Sequence, residues 1–274
     1  LDKDLVVSDK TMLVGAYVKF AAEPVESKIT LPFELKDYVR FGTKEELFLS
    51  DPYYGVKLDF ITDNLEKDGD VVKYAFVTDI HYKNYGTTSM SKYEHDGPID
   101  RQMNRIVKFA NENDAIDFIV VGGDITTGMY ASAEGCMNAT AAALEPLKNS
   151  TKPVFVLMGN HDDNSYGTIR TSTDESLIPT YIVSDKYWND RILDVYTPNV
   201  VHNTEYAESK YYYYDLAAKK TRVICLDTSD KEAEFDENGV VTSLKLQDES
   251  KTNVSSKYRT GYSYFGLSET QLKW

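Results

Sequence analysis

The chain has 274 residues, 42% of them apolar, and a net charge of −14 from 44 acidic and 30 basic side chains. This is enough apolar material for one large α/β domain, alone or with an extension. The charge disfavours nucleic acid or an anionic membrane as a main partner, since both reward basic patches, and no apolar run is long enough to span a bilayer.

Residues 1–70 read as a β-rich extension. Short runs at 12–20, 28–31, 38–41, 46–49 and 56–62 are broken by Pro, Gly and charges. Lys67-Asp68-Gly69-Asp70 offers a hairpin turn into residues 71–78. The extension is therefore expected to pack on the core as added strands; a separate ligand-binding β-module is the alternative. The core, residues 71–274, opens with a strand at 74–77. A polar loop follows, and Pro98 starts a helix with Ile99, Met103, Ile106, Val107 and Ala110 on one face. Residues 118–121 are wholly apolar, as a strand in a buried parallel sheet must be. An Ala-rich helix is expected over 131–148, and a third strand over 153–157. This strand–helix alternation is the βαβ signature.

Further on, residues 163–176 read as a long polar loop. A helix starts at Ser184 and carries Tyr187, Trp188, Ile192 and Leu193. Residues 211–216 and 221–226 look like strands of a second sheet, and Asn238-Gly239 marks a hairpin. Ser268-Glu269-Thr270-Gln271 is a capping box that opens a helix about one turn before Trp274, so the chain is expected to be cut within an element. It begins without Met, contains 21 Tyr and has only two cysteines. An extracytoplasmic or secreted, trimmed protein is expected. Cys136 and Cys225 read as core thiols.

Three short stretches carry the chemistry, each just past an apolar run. They are Asp79-Ile80-His81, Gly123-Asp124 and Gly159-Asn160-His161-Asp162. Open α/β sheets place their chemistry beyond such strand ends. Carboxylate, imidazole and amide oxygen together suit divalent metals, and an aspartate lying between two ions can bridge them. Asp162 either orients His161 or a loop amide, or serves the turn. Tyr82, Asn84, Tyr85, Asn164, Tyr166 and Arg170 follow the motifs and are candidates to line a pocket, with Arg170 able to clamp a phosphate.

This ordered set resembles the calcineurin-like metallophosphoesterase superfamily. The resemblance implies a four-layer αββα sandwich, here without its C-terminal part and preceded by the β-rich extension. It implies two divalent metals (Mn, Fe or Zn): Asp79 and His81 on the first, Asp124 bridging, Asn160 on the second. His161 would be the catalytic residue, a proton donor at the leaving group and not a ligand. A metal-bridged hydroxide would attack a small phosphomonoester or phosphodiester. Phosphoprotein phosphatases have an Asp, and purple acid phosphatases a Tyr, where this chain has Thr127, so neither subfamily is expected. The Asp79-Ile80-His81-Tyr82 start is similar to phosphodiesterases of the sphingomyelinase type. The family pattern continues with a lone His and a Gly-His-x-His that this sequence lacks; His95 and His202 read as surface or structural residues. The resemblance thus implies a partial dinuclear site with weak metal binding and slow turnover. The alternative is a non-catalytic binding protein that retains the fold.

Overall fold

The computed structural model describes residue 69, residues 71–82 and residues 99–274. The expected extension, the polar loop with Asn84, Tyr85 and His95, and Pro98 lie outside these residues. Four residues form β1, Tyr74–Val77, and the helix α1, Ile99–Glu112, follows. Met103, Val107 and Ala110 are buried along its expected face. Next come β2, Phe118–Val121, α2, Ala133–Leu144, and β3, Val154–Val156. The three strands make one parallel sheet in the order β1-β2-β3, with Val77 opposite Val121 and Val121 opposite Val156. That register brings the three strand ends level, and the three motifs leave from one edge.

The second helix is shorter than its composition suggests. Ser132 caps it by accepting from the Gly135 amide. Pro146, which has no N–H to continue the ladder, turns residues Glu145–Asn149 into a 3₁₀ segment. The 163–176 stretch is also more ordered than its polarity suggests, with 3₁₀ turns at Thr168–Arg170 and Glu175–Leu177. A short helix, Ile178–Tyr181, follows, and Ser184 caps the one after it as expected, Asp185–Trp188, which runs into a π-helical turn over Asn189–Leu193.

The second sheet is antiparallel: β4, Val201–His202, β5, Tyr212–Leu216, and β6, Thr221–Cys225. The two-residue β4 has no sequence signal of its own. Its His202 donates from Nδ1 to the Ser209 carbonyl, 3.0 Å away, which is a structural role. A hairpin, β7 (Ala233–Phe235) and β8 (Val241–Leu244), closes around Gly239, whose φ of 75° suits glycine. Period-two alternation in β5 sorts its tyrosines. Tyr214 packs 5.2 Å from the Phe155 ring, and the Tyr212 hydroxyl donates to the Val156 carbonyl at 2.8 Å, so both face the first sheet. Tyr213 faces the other way and stacks on Trp274 at 5.8 Å, and the buried Tyr211, just before the strand, meets the same ring tilted at 5.0 Å. Helices α1 and α2, the two sheets, and the last helix, Glu269–Lys273, therefore lie in the expected αββα order.

Cys136 and Cys225 are free and buried, and burial pushes both thiols up, Cys225 to about 11. Among the described residues no helix is long and apolar enough to cross a membrane. The capping box is half-used. Ser268 accepts from the Gln271 amide at 3.0 Å, but the Gln271 side chain does not return to the cap. Instead it pairs with the Asp227 backbone, accepting its N–H at 3.0 Å and donating to its carbonyl at 2.8 Å.

Candidate metal centre

The motif loops continue the parallel ladder after the strands end. Gly122 N–H donates to Val77 O, Asp79 N–H to Gly123 O, His81 N–H to Asp124 O, and Tyr82 N–H to Ile125 O, at 2.7 to 3.1 Å. Three of the residues so held, Asp79, His81 and Asp124, have left-handed backbones with φ of 55°, 48° and 49°. A non-glycine residue in that region costs about 1–2 kcal/mol. The cross-loop hydrogen bonds hold all three there, next to one another. The third motif is tied in through Asp124, whose Oδ1 accepts the His161 amide at 3.0 Å. Gly123, at φ 96°, lies so close to the third loop that a Cβ would sit 2.6 Å from the Gly159 nitrogen.

His81 Nε2 lies 3.8 Å from Asp79 Oδ1 and 4.0 Å from Asp124 Oδ2. One donor atom each from His81, Asp124 and His161 falls within 4.8 Å of the others. Neither Asp79 nor Asp124 has a lysine or arginine within ion-pairing distance among the described residues. Carboxylates and imidazoles gathered without a fixed cation form a donor set that fits a divalent metal such as Zn, Fe or Mn. Asp79, Asp124 and Asn160 also line one cleft of ≈ 350 Å³, together with Thr228, Ser229 and Phe265.

Of the four expected ligands, His81 and Asp124 share the donor cluster with His161, Asp79 lies beside His81, and Asn160 lines the cleft. The two imidazoles meet edge to face at 4.8 Å. His161 Nδ1 is 2.9 Å from the Thr127 carbonyl, an acceptor only, so Nδ1 carries the proton there and Nε2 is the nitrogen left for a metal or a substrate. Thr127 serves through its backbone, a role its side-chain identity does not disclose. Asp162 orients loop amides and not His161. Fully buried, it accepts from Thr126 N–H at 2.9 Å and from Gly159 N–H at 2.8 Å. Burial pushes its carboxyl up to about 7, against the pull of those amides.

Of the residues expected along the pocket, Asn164 is not available to a ligand. It is buried and its side chain bonds the Tyr130 amide and the Tyr130 and Tyr181 carbonyls. Tyr82 bridges to Thr126. Tyr166 lies against His161, ring centroids 4.2 Å apart, and Arg170 lies over Tyr166.

Comparison with curated proteins gives no match. The family described as calcineurin-like phosphoesterase matches residues 72–259, from the residues before β1 to the segment after β8. That span contains all three motifs and both sheets, and the chain belongs to the calcineurin-like phosphoesterase family.

Proposed function

We propose that this chain is a metal-dependent hydrolase of small phosphomonoesters or phosphodiesters. The observation that carries the reading is the convergence of His81, Asp124 and His161 at the ends of the parallel strands, with Asp79 beside His81. Asp79, His81, Asp124 and Asn160 would hold the divalent metals, which when bound polarise phosphoryl oxygens and acidify water. His161, its Nδ1–H fixed by the Thr127 carbonyl, presents Nε2 to the leaving oxygen and, when protonated, donates to it. Tyr166 against the ring limits its rotation. The left-handed backbones at Asp79, His81 and Asp124 set the carboxylates and imidazole before any ligand arrives, so little ordering remains to be done on binding.

The test is calorimetric titration of the chain with Mn²⁺, followed by hydrolysis of p-nitrophenyl phosphate and bis-p-nitrophenyl phosphate. Asp124→Ala is expected to abolish Mn²⁺ binding. His161→Ala is expected to lower turnover by about 10²- to 10⁴-fold. Mn²⁺ binding that survives Asp124→Ala unchanged would refute the assignment.

A further inference from the structure

Arg170 is an exposed cation with no carboxylate partner among the described residues, in a chain of net charge −14. Its guanidinium carbon lies 5.3 Å from the Tyr166 ring centroid and 5.9 Å from that of Tyr262. The two tyrosines meet at 5.5 Å, and Tyr166 in turn contacts His161. One aromatic ring therefore separates the guanidinium from the imidazole.

This arrangement is braced from below. Buried Asp163 accepts from the Ser165 hydroxyl and, through its other oxygen, from the Gly261 amide, both at 2.6 Å. Ser165 Oγ accepts the Tyr262 amide at 3.0 Å. The loops carrying Tyr166 and Tyr262 are thus pinned to each other by groups next to the tyrosines themselves. Ile169, fully buried in the smaller apolar cluster, fixes the turn that presents Arg170. A guanidinium held over ring faces keeps the N–H donors along its edge for a planar or tetrahedral anion.

We propose that Arg170 reads a second anionic group, a carboxylate or phosphate, on the leaving-group side of the substrate. The substrate class is then a phosphate ester whose alcohol carries another negative charge about one ring's width from the ester oxygen. This rests on the phosphoesterase reading above, because it places the reacting phosphate at His161. Repulsion from the acidic surface would otherwise select against a doubly anionic ligand, so one fixed cation decides the preference.

The experiment compares three non-hydrolysable probes on the full chain with Mn²⁺ by calorimetry: benzylphosphonate, 4-carboxybenzylphosphonate and p-xylylenediphosphonate. The wild type is expected to bind at least one doubly anionic probe about tenfold more tightly than benzylphosphonate, as one charge-assisted contact allows. The larger ratio identifies the anion. Arg170→Gln is expected to bring both ratios to about one, Arg170→Lys to restore part, and Tyr262→Leu to reduce them by freeing the guanidinium. If benzylphosphonate binds but neither ratio exceeds one, or the preference survives Arg170→Gln, the second-anion site is overturned alone. If benzylphosphonate does not bind with Mn²⁺ present, the phosphoesterase reading is overturned and this one falls with it.

Discussion

Asp162 illustrates how much one side chain carries at the residue scale. Its two oxygens satisfy the Thr126 and Gly159 amides, one in each of the loops that follow β2 and β3. Replacing it with Ala would leave two buried N–H groups without partners, each costing about 1–3 kcal/mol. Asp162→Ala is therefore expected to lose roughly 3 kcal/mol in urea denaturation. Asp162→Asn should lose about half of that, since its amide keeps one acceptor oxygen and turns N–H groups toward a donor. The sequence marked Asp162 as either a partner of His161 or a turn residue. Contacts between loops 36 residues apart settle it, and no local pattern could. The same holds for Thr127, whose backbone carbonyl bonds His161. Every residue has a carbonyl, so sequence reveals nothing of where one points.

Elements set the positions of the motifs through their ends. The strands were legible because a run such as Phe118–Val121 is apolar on both faces, which only a covered sheet tolerates. The helix after Ser184 was legible by its start, where Ser184 accepts from the Tyr187 amide, and α2 by its alanines, its Ser132 cap emerging only in the structure. Helix ends were less so, because Pro146 ended α2 earlier than an Ala-rich stretch implies. Where two strand-end loops meet, glycine is required by contact. A Cβ at Gly123 would strike the third loop, and its φ of 96° disfavours any L side chain. Gly123→Ala is expected to destabilise by at least about 2 kcal/mol. It should also weaken Mn²⁺ binding, because relief moves Asp124 away from His81. Unchanged melting temperature and metal affinity would show that these loops yield at no cost.

At the scale of the molecule, the least legible feature is a buried ionic cluster. Lys210 Nζ lies 2.7 Å from Asp185 and 2.8 Å from Asp227, and Lys231 Nζ lies 3.6 Å from Asp185, all four side chains buried. The Tyr206 hydroxyl also donates to Asp185, and the nearby Asp230 carboxyl is pushed up by its own burial. The cluster joins the Ser184-capped helix to the loops before β5 and after β6. Two lysines hold the Asp185 carboxyl below its usual range against burial, and the carboxylates hold Lys210 above its own. The Asp185 contribution to stability is then present above an unfolded value near 3.8 and lost only as pH falls through the lower folded value. The Lys210 contribution is present below 10.5 and lost as pH rises through the higher folded value. Stability from these two groups should be flat across neutral pH. Lys210→Met is expected to cost about 3–5 kcal/mol at pH 7, because two buried carboxylates are left to share one lysine. The loss should shrink on acidification towards pH 5, as one carboxylate takes up a proton. A pH-independent loss in calorimetric melts would rule out an electrostatic origin.

The sequence by itself determined what depends on neighbours along the chain: the parallel βαβ core, the second sheet, the helix caps, and the metal-type residues at three strand ends. Those signals are local, since periodicity, capping and turn chemistry act over a few residues. Tertiary structure decided the rest, because the partners lie far apart in sequence. It placed His161 beside His81 and Asp124, gave Asp162 to the loop amides, and buried Lys210 and Lys231 among aspartates. It also turned Gln271 from a cap toward Asp227 and set Arg170 on two tyrosines 96 residues apart.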